Sequence, residues 1–411
     1  MALFCGIDWA EAHHDVAVVD EGGTVVVRAR IGNDAAGFAR LLTLLAEAGD
    51  TPENPVSVAI ETDRGLLVAA LRATDRPIYP INPLAASRYR SRHQVSGAKS
   101  DATDAVMLAN ILRTDAAAHR PLPADTELAQ AIRVLARAQQ DAVWARQQIG
   151  NQVRALLKDF YPAALDAFAG LPEGGLARRD ARVVLTAAPN PALAAKLSRA
   201  HLAKLLAKAG RKRNIGAEVE RLYAVFRADT HLRQPPVVEN AMGIQLTALL
   251  GQLDAACRAA DDLTEAAIAH FDRHPDAKII TSFPGLGQLS GARVLAEIGD
   301  DPTRFTDARG LKAYAGSAPI TRASGKKSVV LHRHIKNKRL AAVGPIWALS
   351  SLRASPGARR HFDARRHAGD WNHQAQRHLF NKFLGQLHHC LQTHSLFDEH
   401  RAFPPPQALA A

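Results

Sequence analysis

Cysteine is scarce. Cys5, Cys257 and Cys390 are the whole complement in 411 residues. Three scattered thiols make neither a disulfide framework nor a CxxC metal site, and they predict a reducing cytoplasm. No apolar run approaches the roughly 20 residues that a membrane-spanning helix needs. The N-terminus lacks a basic segment leading into a short apolar core, which predicts that the chain is not exported. The 18 histidines show no HExxH or zinc spacing. Also missing are the glycine-rich phosphate and adenosine loops of a sugar kinase or actin-like ATPase, although Gly6-Ile7-Asp8 would suit the first strand of either.

What is present fits a folded chain of two or three domains, with 47% apolar and 22% charged residues. The net charge of +12 favours a polyanionic partner, nucleic acid first and an anionic membrane second. The basic residues come in groups. Arg88, Arg90, Arg92 and Lys99 accompany Tyr89 and His93. Lys204, Lys208, Arg211, Lys212 and Arg213 follow in the middle. Lys326, Lys327, Arg333, Lys336, Lys338 and Arg339 lie near the end, before Arg359, Arg360, Arg365 and Arg366. Arginine forks suit phosphate oxygens and a tyrosine stacks on a base, so a long nucleic-acid path with salt-dependent binding is expected.

The apolar pattern divides the chain. Phe4 to Trp9, Asp15 to Asp20 and Thr24 to Arg30 read as strands, the last two joined by a hairpin turn at Glu21-Gly22-Gly23. Asp34 to Ala48 has helical periodicity, Val56 to Glu61 reads as a strand, Gly65 to Ala73 as a helix and Pro77 to Ile81 as a short strand. A meander followed by alternating helices and strands predicts a mixed sheet. The next part is helical. One heptad seam runs from Leu128 to Phe160, interrupted by Gln139 and Arg146, and a second from Met242 to Ala267. Between them, helical pieces break at Pro189, Pro191, Gly210 and Pro235-Pro236. The seams fit either a coiled-coil arm that dimerises or two helices packed on each other in one chain. Periodicity does not distinguish these. Farther on, Phe283-Pro284-Gly285-Leu286-Gly287 opens a helix in the manner of a helix-hairpin-helix element, whose backbone N–H groups suit a phosphate. Phe403-Pro404-Pro405-Pro406 and the alanine-rich end read as a disordered tail.

The chemistry is in the acids. Asp8 and Glu61 end apolar strands, while Asp101 and Asp104 lie three apart at the start of a helix and so share a face. Crowded carboxylates need a neutralising cation, and magnesium is the hard ion that takes oxygen ligands. This predicts a metal-dependent enzyme acting on phosphodiesters. Asp15 and Asp20, flanking the second strand, are expected in turns, and Asp63 is an understudy for Glu61. Each acid alone is as readily a turn former or helix cap. Ser324 opens Ser-Gly-Lys-Lys at the end of a small-residue loop that also holds Ser317, with Ser328 just beyond. A serine needs a base or a metal to act as a nucleophile, and Ser-Gly is also an ordinary turn.

Taken together, Gly6-Ile7-Asp8, Ile60-Glu61-Thr62, Lys99 to Ala105, Ile280 to Gly287, Ala315 to Pro319 and Ser324-Gly325 resemble the insertion-sequence transposases with a RuvC-like DEDD domain, the bridge-RNA-guided recombinases. The resemblance spans nearly the whole chain. It implies a fold of class α/β plus all-α. A RuvC-like DEDD domain of RNase H fold would occupy residues 1–125, a helical coiled-coil region 126–272, and a mainly helical C-terminal transposase domain 273–400, with a disordered tail at 401–411. It implies that Asp8, Glu61, Asp101 and Asp104 bind magnesium, and that Ser324 forms a transient 5′-phosphoserine link to DNA. It also implies donor and target DNA, a structured noncoding guide RNA and a homodimer or homotetramer as partners, in the bacterial cytoplasm at the nucleoid. Base pairing by the RNA would then read sequence while the protein holds backbone. The segment 165–270 looks longer than the family's minimal arm. A hydrolytic junction nuclease would need the acids without Ser324, and a DNA-bridging protein would need neither.

Overall fold

The computed structural model describes residues 2–93, 101–168, 170, 175–228, 230–325 and 327–404. Lys99, Lys326 and the side chain of Asp101 lie outside the described residues. The chain forms two compact units, Met1–Ala124 and Asp125–Ala411.

The first unit is built on a mixed sheet. β1 (Phe4–Trp9), β2 (His13–Val19) and β3 (Val25–Gly32) form an antiparallel meander. The turn after β2 is fixed by Asp20, whose carboxylate accepts from the Thr24 backbone N–H at 2.8 Å. α1 (Ala35–Ala48) starts at Asp34, which caps it by accepting from Gly37 N at 2.7 Å. β4 (Ser57–Ile60), α2 (Leu66–Arg72) and β5 (Ile78–Pro80) follow, with β4 parallel to both β1 and β5. The strand order is β3-β2-β1-β4-β5. α3 (Pro83–His93) and α4 (Asp101–Asp115) complete the unit. The basic run at 88–93 is therefore helical. Pro83 sits at its first position and Asn82 Oδ1 accepts from Leu84 N at 2.8 Å.

Strand alternation sends successive side chains of β1 to opposite faces. Cys5 and Ile7 pack with Val16, Val58, Ile60, Leu41, Leu45 and Leu71. On the other face Phe4 packs with Ala59, Leu108 and Leu112. Gly6 lies on this second face, where a Cβ would stand 2.0 Å from the Ala105 carbonyl oxygen and 2.4 Å from Ala109 N. α4 thus lies directly on the backbone of β1, a contact that only glycine permits.

The second unit is mainly helical. α5 (Glu127–Phe160) is followed by α6 (Pro162–Phe168), α7 (Arg179–Ala187), α8 (Pro191–Ala195), α9 (Arg199–Lys208) and α10 (Ile215–Val225), then by the long α11 (Pro236–Phe271). Proline or glycine marks most of the breaks, and Ser198 caps α9 where neither does. α5 and α11 run antiparallel. Ile132 and Ala136 share a cluster with Phe271, Val153 and Leu157 share another with Leu246 and Leu250, and Gln139 donates to Thr264 Oγ1 at 3.0 Å between them. The two heptad seams are packed on each other within one chain.

The remainder comprises α12 (Ala277–Thr281), α13 (Gln288–Ile298), α14 (Ala308–Tyr314), a hairpin of β6 (Ile320–Ser324) and β7 (Lys327–Leu331), α15 (Lys338–Ala354), α16 (Pro356–His367), α17 (Asn372–Gln392) and α18 (Glu399–Ala402). Trp347 and Phe383 stack at the centre of its core, with ring centroids 5.1 Å apart. The turn between α12 and α13 packs Gly285, at φ +82°, against α15, where a Cβ would meet Ser351 N at 2.5 Å. The tail begins later than expected. Ala402 and Phe403 are buried in the core, where Phe403 meets Phe383 edge-on at 5.9 Å, while 405–411 lie outside the described residues. Among the described residues no helix is long and apolar enough to cross a membrane.

Candidate active site

Parallel pairing of β1 with β4 sets Ile7 beside Ile60, so Asp8 and Glu61 are the next residues at neighbouring carboxyl ends. Asp8 follows Gly6 by two and so shares its face, the face that carries α4. Both acids are half-buried. α4 begins at Asp101, and its Ala105 carbonyl lies over Gly6. That contact brings the preceding residue, Asp104, to the same end of β1. Asp104 is buried, at 4% exposure, and its Oδ1 accepts from Arg90 Nη2 at 2.7 Å and Nε at 3.1 Å. The guanidinium of α3 thus neutralises one of the acids.

Asp15 is not in a turn. It is the third residue of β2, directly opposite Asp8 in the register, and is buried. Its two carboxylate oxygens accept from Arg30 at 3.1 and 2.9 Å. β2 begins at His13, three residues before Val16, the first apolar residue of the run, so Asp15 lies inside the strand. Asp20 is the turn residue it was expected to be, and Asp63 lies exposed beyond the end of β4.

Among the described residues no three acidic, histidine or cysteine side chains form a group that could hold a metal ion, and the Asp101 side chain is not among them. The donor types nonetheless suit magnesium. Asp8, Glu61 and Asp104 offer carboxylate oxygen only, from adjoining positions on one face. Beside them Arg28, Tyr89, Arg90 and Arg113 line a cavity of about 340 Å³ against α4, and the Tyr89 and His93 rings meet at a tilt with centroids 4.2 Å apart. Arg88 and Arg92 are exposed on α3.

Ser324 is in the second unit and in a different setting. The small-residue loop is a β-hairpin, with Ser324 at the end of β6 paired to Lys327 across a tight turn at Gly325, φ +57°. Nearly every hairpin residue is exposed, including Ser324 and Lys327. Its foot is fixed. Ser317 is buried and donates to Asn381 Oδ1 at 2.8 Å. Asn337 N donates to Tyr314 O at 2.8 Å, and Asn337 Nδ2 reaches Glu297 Oε2 at 2.6 Å and the Tyr314 hydroxyl at 2.7 Å. Glu297 also accepts two 2.8 Å bonds from Arg137 of α5. Burial pushes its carboxyl up, but the Arg137 and Asn337 hydrogen bonds prevail and hold it below the usual range.

The basic residues nearby differ in availability. Arg339 is committed, with both oxygens of Asp141 at 2.7 and 2.9 Å and its guanidinium over Trp144. Arg333 donates to Ala318 O at 3.3 Å and Lys336 Nζ meets His332 Nε2 at 2.9 Å, while Lys338 is exposed.

Two family models match the chain, one described as Transposase and bearing the DEDD label of the IS110 group over residues 5–162, the other as Transposase IS116/IS110/IS902 family over residues 277–363. The chain is also 62% identical, over all of its length and 99% of the relative's, to a Streptomyces coelicolor protein named "Mini-circle putative transposase for IS117". The chain belongs to the IS110/IS116/IS902 family of transposases. More distant members include the uncharacterized 42 kDa protein of IS900 from Mycobacterium paratuberculosis, 27% identical over 96% of this chain and 97% of that one. The uncharacterized 44.8 kDa protein of IS116 from Streptomyces clavuligerus is 28% identical over 96% of each.

Proposed function

We propose that this IS110-family protein is a DNA transposase that excises and inserts its own element through a divided site, with acids on the first unit and a serine on the second. The observation that carries the reading is the β1–β4 register, which sets Asp8 beside Glu61 under a helix that brings Asp104 to the same end. Asp8, Glu61, Asp101 and Asp104 would hold magnesium, which when bound would polarise the phosphate under attack. The exposed hairpin offers the Ser324 hydroxyl to a DNA backbone. In the proposed step Oγ loses its proton as it bonds to phosphorus, the P–O3′ bond breaks, and O3′ takes up a proton. A 5′-phosphoserine and a free 3′-hydroxyl result, and the reverse attack by a new 3′-hydroxyl rejoins the strand. Arg88, Arg90, Arg92, Lys99, Lys326, Lys327, Arg333, Lys336 and Lys338 would hold phosphates. Arg339, bound to Asp141, would brace α15 instead.

In the resembling recombinases the acid site of one subunit is completed by the serine of another, and a structured RNA pairs with donor and target. We carry both properties over as part of the reading, as a homodimer or homotetramer with a guide RNA. The test places the gene with its native flanks on a plasmid in cells and amplifies excised-circle junctions. Wild type should form junctions, and Asp8→Ala and Ser324→Ala should not. Junctions that survive in Ser324→Ala but not in Asp8→Ala would remove the serine from the chemistry and leave a metal-dependent nuclease.

A further inference from the structure

The second unit holds a cavity of about 530 Å³ that involves neither the acids nor Ser324. It lies between α14, α17 and the segment that leads into α18. Lys382, Gly385, Gln386 and His389 recur at steps of three and four and so form one wall from a single face of α17. Lys312 enters from α14 and Arg401 from α18. Gly385 is what admits Lys312, because a Cβ there would stand 2.8 Å from its Nζ. The Lys312 ammonium therefore rests against α17 one turn from Lys382.

Among the described residues neither lysine has a carboxylate within ion-pair distance, and neither does Arg401. The acid on the wall, Asp398, is spent on its own helix, where Oδ1 accepts from His400 N at 2.9 Å and Arg401 N at 3.2 Å. Burial holds Lys382 below the usual lysine range, and its Nζ lies 4.7 Å from the centre of the Phe403 ring. Gln386 donates from Nε2 to Ala402 O at 3.1 Å, while its Oε1 is buried without a partner. Leu396 and Phe397 supply an apolar wall, with Leu396 61% exposed at the rim.

Two ammonium groups that line one cavity without a carboxylate partner, one of them desolvated, favour an anion there. The apolar wall calls for something flat or greasy. We infer that this cavity binds a nucleotide, its phosphate taken by Lys312 and Lys382 and its base against Leu396 and Phe397. The volume is within the range of small-molecule sites. The nucleotide is either free or part of a DNA or RNA strand. The strand-borne case rests on the transposase reading, whereas the cavity's chemistry does not.

The test uses the full chain. Binding of deoxyadenosine monophosphate and of a short single-stranded oligonucleotide is measured by calorimetry for wild type, Lys312→Gln, Lys382→Gln and the double variant. Each single change should weaken binding about tenfold, as expected for loss of one charge-assisted hydrogen bond. Loss confined to the oligonucleotide identifies a strand-borne nucleotide, and loss confined to the monophosphate a free one. Should a variant misfold, wild type alone decides. The bound nucleotide should protect Lys312 and Lys382, but not the exposed Lys204, from amine acylation read by mass spectrometry. Equal affinity in all variants, or acylation unaffected by nucleotide, overturns the inference. Circle junctions report on the serine and acids, so either proposal can fail while the other stands.

Discussion

The acids and the serine occupy opposite kinds of ground. Asp8, Glu61 and Asp104 are held by a buried sheet and a helix that touches its backbone, so their positions follow from the core of the first unit. Ser324 stands at the tip of an exposed two-stranded hairpin whose foot alone is tied down, through Asn337, Tyr314 and Glu297. A carboxylate cluster has to be pre-assembled, because its members repel and will not gather unaided. On the proposed reading, a nucleophile that must reach a phosphate on a bulky duplex is better displayed than enclosed. The difference teaches that stability and reactivity should separate cleanly between the two places.

The severest way to break the contrast is Gly6→Val. Its side chain would collide with the Ala105 carbonyl and drive α4 from β1, costing the first unit about 3 kcal/mol or more. Denaturant unfolding should show an early transition for the first unit, and circle junctions should vanish with it. Arg90→Ala is next. It leaves the Asp104 carboxylate, 6% exposed in the salt bridge, without its partner and should cost about 1–3 kcal/mol. On the proposed reading magnesium should raise the melting temperature of this variant more than that of wild type, since the ion would take over the neutralising role. Equal shifts would show that Arg90 and the metal act independently.

A third test addresses the foot of the hairpin. Glu297 is held below the ordinary value of 4.5, against its own burial, by Arg137 and Asn337. A carboxyl depressed in the folded state lends stability that is fully present above the unfolded value and is lost as pH falls through the folded one. The second unit should therefore lose stability below about pH 4.5, and Glu297→Gln should flatten that decline while costing about 1 kcal/mol at neutral pH. An unchanged slope would mean that other carboxyls, such as Asp300 and Asp180, carry it. Least in stability and greatest in activity is Ser324→Ala. At an exposed tip it should shift unfolding by less than about 0.5 kcal/mol, yet leave no junctions.

Much of the first unit could be read in advance, because buried parallel strands leave continuous apolar runs and the runs end in Asp8 and Glu61. The seams of α5 and α11 were equally legible, although nothing in a heptad says whose helix fills the other side. α3 was missed. Asn82-Pro83 carries a helix-start signal, but the residues after it are too polar for periodicity to register. The Arg90–Asp104 bond joins residues 14 apart in sequence through the packing of two helices, so no local pattern announces it. Asp15 stands at the limit of the expected strand, and the polar His13 and His14 before it give no sign that the strand continues past it. The Ser324 hairpin was read as a loop because Ser-Gly-Lys-Lys has too little β character to stand out from a turn.

The antiparallel pairing of α5 with α11 also bears on the order in which the protein is made. Residues 1–124 have their partners within reach as soon as they leave the ribosome. α5 does not. Ile132 and Ala136 belong to a core whose other members run from Phe271 to Phe403, and Val153 and Leu157 wait for Leu246 and Leu250. Such distant pairing delays assembly until the chain is nearly finished. A prematurely terminated copy would present a folded acid-bearing unit on an unclosed helix, with no Ser324 hairpin, so that translation itself would act as a check that only full-length protein can join DNA.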